Sequence, residues 1–188
     1  MMNDNDFAAL RDMGDAQRAE RWLAADPGTF KTGYVVFDPH AQAVIDAGWC
    51  ENDDFFAVIE TLGYHDRFIQ ETFAAMGMPT GESSLETVRW EGRFIQHAKA
   101  SRGITVDRIT RREIKLTLCG TSRAKDQNVR AALVDLYASD WAAIGNGLGV
   151  KSNPSPLAKL RACKGAAAHT FAALAVATAW RAEHWEGR

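Results

Sequence analysis

Residues 21–49 crowd three β-prone segments together, with only a few turn-forming residues between one and the next. Arg21-Trp-Leu-Ala-Ala-Asp26 runs into Pro27-Gly28, Gly33-Tyr-Val-Val-Phe-Asp38 into Pro39-His40, and Ala43-Val-Ile-Asp-Ala-Gly-Trp49 follows. A parallel crossover needs about a dozen residues or more, so connections this short predict an antiparallel meander. Downstream the pattern alternates. Phe55-Phe-Ala-Val-Ile-Glu60 is a near-continuous apolar run of the kind that forms a buried central strand. Leu85, Val88, Trp90, Phe94 and Ile95 recur at helical spacing behind Ser84, with Glu86 suited to the first turn, and predict a helix to about Ser101. Ile104–Ile109 reads as a short fifth strand. Arg112–Cys119 reads as a short helix stopped by Gly120, and Lys125–Tyr137 as a helix with Val129, Ala132, Leu133 and Leu136 on one face. Residues 146–156 are rich in Gly, Pro and Asn and read as a loop, and 165–185 as a final helix that is small and apolar on most faces. The expected architecture is α/β: a five-stranded mixed sheet with an antiparallel β1–β3 meander and helices on both faces. It forms one domain over 21–188, with residues 1–20 as an appendage that can hold a short helix at Phe7–Glu20.

Of the 188 residues 46% are apolar, a globular composition. No apolar run approaches the ~20 residues of a membrane span; Phe171–Trp180 is about half that and Arg181 and Glu183 follow it. Met1–Asp6 is acidic and lacks the basic and apolar regions of a secretion signal. Cys50, Cys119 and Cys163 form no CxxC pair, which argues against a disulfide scaffold or thiolate zinc site and suits a reducing cytoplasm. Charge is unevenly spread. Residues 1–100 hold 8 Lys+Arg and 17 Asp+Glu, whereas 101–130 hold 8 basic residues and 3 acidic ones. A cationic stretch can hold phosphates while carboxylates elsewhere hold a metal; the plain alternative is a solvated helix face.

Asp26 and Glu60 each end an expected buried strand, where open α/β sheets gather ligands. If the strands are neighbours, the two carboxylates share a cleft and make a hard-oxygen site for Mg²⁺ or Mn²⁺, the ions of phosphodiester hydrolysis. Asp26 can equally be a turn cap before Pro-Gly. His169 stands among alanines on the last helix, where a lone His is more often a structural hydrogen-bonder than a ligand. Trp90 and Phe94 can stack on bases, though core packing is the simpler role. Gly145-Asn-Gly-Leu-Gly lacks the strand and the Lys-Ser/Thr of a phosphate loop, and no GxSxG occurs.

Several stretches carry a family likeness. Ala25-Asp26-Pro27-Gly28 with Thr32-Gly33-Tyr34 resembles the first-strand signature of RuvC-type Holliday junction resolvases, within the RNase H-like superfamily. Val58-Ile59-Glu60 resembles the family's second acidic strand. Ile114-Lys115-Leu-Thr-Leu-Cys-Gly120 through Ala124-Lys125-Asp126-Gln-Asn-Val129 resembles its Val-Lys-x-x-Val-x-Gly…Ala-x-Lys-x-x-Val stretch, and Ala173-Leu-Ala-Val-Ala177 the core of its last helix. The likeness runs from about Leu23 to Trp180 and is strongest to divergent phage and prophage RuvC-like proteins.

The resemblance implies an RNase H-like fold, two divalent ions (Mg²⁺ or Mn²⁺) and a homodimer that nicks four-way or otherwise branched DNA. It implies metal ligation by Asp26, Glu60 and His169, with catalytic work shared by Lys115 near the scissile phosphate. The DNA backbone would be gripped by Arg111, Arg112, Lys115, Arg123 and Lys125; Lys125 is one residue off the family's second Lys. Ala172 departs from the pattern, because an Asp is usual there. Either water or another acid (Glu86, Asp126) fills in, or cleavage is weakened and the chain binds branched DNA without cutting.

Overall fold

The computed structural model of the chain describes residues 20–75, 77, 79–137 and 167–185. The expected appendage at 1–20, apart from Glu20, and the expected loop at 146–156 lie outside the described residues. Among the described residues the strands are β1 (Trp22–Pro27), β2 (Lys31–Asp38), β3 (Ala43–Glu51), β4 (Arg67–Thr72) and β5 (Thr105–Thr110). The helices are α1 (Asn52–Ile59), α2 (Glu82–Arg102), α3 (Arg111–Cys119), α4 (Asp126–Leu136) and α5 (Ala167–His184). The strands form one mixed sheet in the order β3-β2-β1-β4-β5. β1, β2 and β3 are the expected antiparallel meander, and β1–β4 and β4–β5 pair in parallel.

One expected strand is a helix. Residues 52–59 form α1 because burial falls at Asn52, Phe55 and Ile59, the three- and four-residue steps of one helix face, and Asp53 and Asp54 sit in the first turn where the helix dipole favours them. The fourth strand lies further along the chain, at Arg67–Thr72.

The pleat of β1 sends alternate side chains to opposite faces. Trp22 and Ala24 join the core beneath α3, α4 and α5, with Ile69, Ile114, Val129, Leu133 and Leu174; Leu23 and Ala25 join the core beneath α1 and α2, with Phe55, Ile59, Phe68 and Phe94. Trp90 and Phe94 are therefore core residues of the second layer and not base-stacking surfaces. α5 lies directly on β1 and β2, and Ala173, Ala175, Ala177 and Ala179 are fully buried there. Small side chains let this helix approach the sheet closely, and the approach is tightest at Gly33. A Cβ on Gly33 would stand 2.6 Å from the carbonyl carbon, the carbonyl oxygen and the Cβ of His169.

Candidate active site

The parallel pairing of β1 with β4 fixes the acidic centre. The register sets Ala24 against Ile69 and Ala25 against Gln70, so the next pair along is Asp26 and Glu71. By the two-residue alternation both carboxyls project to the face of Ala24 and Ile69, the face that α5 covers. His169, on the first turns of α5, meets them there: its Nδ1 lies 3.2 Å from Asp26 Oδ2. Gly33 is the β2 partner of Asp26, so the glycine that admits His169 also faces the carboxylate it contacts.

Glu60 belongs elsewhere. It is the C-cap of α1, 54% exposed, with its Oε1 3.2 Å from His97 Nε2 on α2. The neighbouring Thr61 carbonyl accepts from Arg21, which precedes β1. Glu60 thus sits at the opposite end of β1 from Asp26 and in the other helical layer. The second acid beside Asp26 is Glu71. A strand signal was available for it: turn residues at Gly63–Asp66, then Phe68-Ile69, then an acid a few residues ahead of the Gly77–Gly81 loop sequence.

Two clefts meet at this acidic pair. One, about 520 Å³, is lined by Asp26, Glu71, Arg111, Asp126, His169 and Ala172 among others. The other, about 370 Å³, opens on the far side of Asp26 and Glu71 and is lined by Thr110, Arg111, Arg112, Lys115 and Ser122 as well as Phe73 and Glu91. Arg111 stands between the clefts, with Nη1 3.3 Å from Glu71 Oε2 and Nη2 2.8 Å from Asp126 Oδ1. Lys115 Nζ is 3.2 Å from the same Asp126 oxygen. The capping box of α3, Thr110 with Glu113, fixes the helix start and so the direction of Arg111 and Lys115. Arg123 and Lys125 are exposed on the turn between α3 and α4 that carries Ser122 and do not line either cleft. Of the acids considered as replacements at Ala172, Asp126 lines the first cleft, whereas Glu86 pairs with Arg89 on α2.

Electrostatics mark the centre as short of positive charge. Burial, and then the charge of Asp26, push the Glu71 carboxyl up to about 7 despite Arg111. The hydrogen bond to Asp26 holds His169 above its ordinary value, against partial burial. Arg111 holds Asp126 below the usual carboxylate range. A desolvated carboxylate pair is the donor chemistry of a hard divalent cation, and an imidazole beside it suits Mn²⁺ better than Mg²⁺. Asp26, Glu71 and His169 therefore fit one such ion. A second ion finds fewer donors, because Ala172 brings none. Among the described residues no three His, Cys, Asp or Glu side chains are already drawn into a closed ligand set; Arg111 and the Asp26–His169 contact occupy the acidic oxygens instead.

No protein-family model matches the sequence, and no curated protein matches it. Solved structures do. RuvC of Thermus thermophilus is matched with a TM-score of 0.58 at 17% identity, over 86% of this chain and 93% of that one. T. thermophilus RuvC in complex with a Holliday junction substrate is matched at 0.57 and 14%, over 89% and 96%. The yeast mitochondrial Holliday junction resolvase Ydc2 is matched at 0.47 and 12%, over 93% and 86%. The mixed sheet and its helices on both faces are those of a RuvC-type resolvase fold.

Proposed function

We propose that the chain is a metal-dependent, structure-selective endonuclease that nicks four-way or related branched DNA, acting as a homodimer. The observation that carries this reading is the convergence of Asp26 and Glu71, from adjacent parallel strands, with His169 at the junction of two clefts, one of them flanked by Arg112 and Lys115. Asp26 and Glu71 would hold a divalent ion, Mg²⁺ or Mn²⁺. Bound there, the ion would supply Lewis-acid stabilisation of the phosphodiester and a more acidic attacking water.

The chain's own residues account for the rest. The trough on either side of the acidic pair lets a strand lie across it, with phosphates on both sides of the scissile bond near Arg112, Lys115 and Arg130. Lys115 supplies a cation where negative charge develops on the transferring phosphoryl group. His169, when neutral, can either ligate or accept a proton from the attacking water. Arg111 neutralises Glu71 until a cation takes its place, and Asp126 then retains the guanidinium within the cleft. Arg123 and Lys125, exposed on the α3–α4 turn, extend the cationic surface along the backbone. A two-fold assembly matches a junction that requires two symmetric nicks.

The test is incubation of the full chain with a labelled four-way junction and Mg²⁺ or Mn²⁺. Paired nicks that vanish in Asp26→Asn support the reading. The second reading, a protein that binds branched DNA without cutting it, is favoured by Ala172, which leaves the α5 face one acid short. Junction binding by the parent without nicks in either metal would establish it instead.

A further inference from the structure

Phe30 is the most exposed of the large apolar side chains among the described residues, at 80%. It stands at the tip of the β1–β2 hairpin, four residues past Asp26. The backbone that presents it is tightly held. Gly28 N donates to Lys31 O at 3.1 Å, and a Cβ on Gly28 would stand 2.7 Å from that oxygen, so the turn closes only around glycine. Asn52, 1% exposed at the start of α1, serves this turn with its backbone N–H and both ends of its side-chain amide. Its N–H donates to Phe30 O at 3.0 Å, its Nδ2 to Gly28 O at 3.0 Å, and its Oδ1 accepts from Thr32 Oγ1 at 2.8 Å. Thr29 Oγ1 donates to Ser83 O at the start of α2. A buried amide and a second helix thus fix a turn whose one large side chain contributes nothing to the core. The adjacent Lys31 ammonium lies 3.9 Å over the Trp49 ring.

We propose that Phe30 is a specificity-determining residue that stacks on an unstacked base at a DNA branch point; this rests on the junction-nuclease reading above. The chemistry is that of a rigid aromatic platform: the exposed ring takes a base face. A duplex keeps its base faces covered, so the platform gains nothing from linear DNA. At a branch point the end bases lose a stacking neighbour and offer a face. Because the turn is already ordered, burying the ring there costs little conformational entropy. The platform sits on the turn that directly follows the strand carrying Asp26, so the same contact registers the branch point against the acidic centre.

The test compares the full-length parent with Phe30→Ala, Phe30→Leu and Phe30→Trp for binding to a four-way junction and to a linear duplex of the same sequence. A 2-aminopurine at the branch point reports stacking. Expected for Phe30→Ala and Phe30→Leu is a loss of about 5- to 100-fold in junction affinity, the range that stacking on one base spans. Duplex affinity and thermal midpoint stay unchanged, and the parent's quenching of the 2-aminopurine is lost. Phe30→Trp retains junction affinity within about threefold. If the parent prefers the junction but Phe30→Ala does so equally, with the quenching intact, the inference on Phe30 is overturned while the nuclease reading stands. If the parent shows no preference for the junction over duplex, the nuclease reading itself fails.

Discussion

Replacing Glu71 by Gln should make the metal-free protein more stable at pH 8 and leave its stability near pH 4 unchanged. Glu71 is 16% exposed, beside Asp26, and its carboxyl is raised from 4.5 to about 7. Below pH 4.5 it is protonated in both the folded and the unfolded chain and contributes nothing to the pH dependence. Between 4.5 and about 7 the unfolded chain releases a proton that the folded chain retains, so folding stability falls as pH rises. Above about 7 the full cost is present, and the gap corresponds to about 3 kcal/mol. Gln cannot ionise, so the variant escapes this fall. Arg111 keeps Asp126 as its partner. For a chain of this length about 3 kcal/mol amounts to roughly 6–12 °C in thermal midpoint. The assay is thermal unfolding in chelator at pH 4, 6 and 8, followed by Mn²⁺ addition at pH 8. Mn²⁺ should raise the midpoint of the parent more than that of Glu71→Gln, because binding to the folded state stabilises it. A variant that is no more stable than the parent at pH 8, or whose difference is the same at pH 4 and pH 8, would refute the reasoning.

Gly33→Ala should lower stability by about 1–3 kcal/mol through overpacking against the His169 backbone. It should also let the His169 pKa fall back towards its ordinary value as the ring leaves Asp26, which an imidazole NMR titration reads directly; an unchanged pKa would contradict the close approach. The Asp26–His169 pair stabilises the fold fully below the ordinary histidine value of 6.5 and loses that contribution as pH rises through the raised folded value, so His169→Asn should cost more stability at pH 5.5 than at pH 8.5. Protons also compete with a cation. Mn²⁺ affinity by calorimetry should therefore rise between pH 6 and pH 8 as Glu71 ionises, and a flat profile would count against it as a ligand.

The meander, α2 to α5 and β5 were legible because each carries a local signal: short turns, a 3.6-residue period, or a Gly stop. The Asp26–His169 contact joins two residues that each sit in a short motif whose neighbours are read with it. The sequence reads 55–60 as a strand because 55–59 is apolar at every position, which masks the helical period that Asn52, Phe55 and Ile59 follow in space; that helix places Glu60 away from Asp26. β4 carries little local signal because it is an interior strand with a polar residue in its middle. Gln70 is fully buried, and its Nε2 donates to the Glu91 carbonyl, a long-range partner that no local pattern reveals. Pairing Asp26 with Glu71 depends on the β1–β4 register, set by two strands forty residues apart that meet only in the folded sheet. The clustering of Arg111, Lys115 and Asp126 likewise needs α3 and α4 to be folded against each other. The basic stretch at 101–130 hinted at the composition of this site and not at its geometry.

The most direct measurement is junction nicking in Mn²⁺ by the parent, Glu71→Gln and Glu60→Gln, with equal folding verified for each. Glu71→Gln should lose at least about 100-fold in single-turnover rate, the scale of removing one transition-state-stabilising group, while Glu60→Gln stays within about threefold of the parent. A parent that cuts, together with a Glu71→Gln variant that cuts equally well or a Glu60→Gln variant that is the one to fail, would contradict the pairing of Asp26 with Glu71 as the catalytic centre.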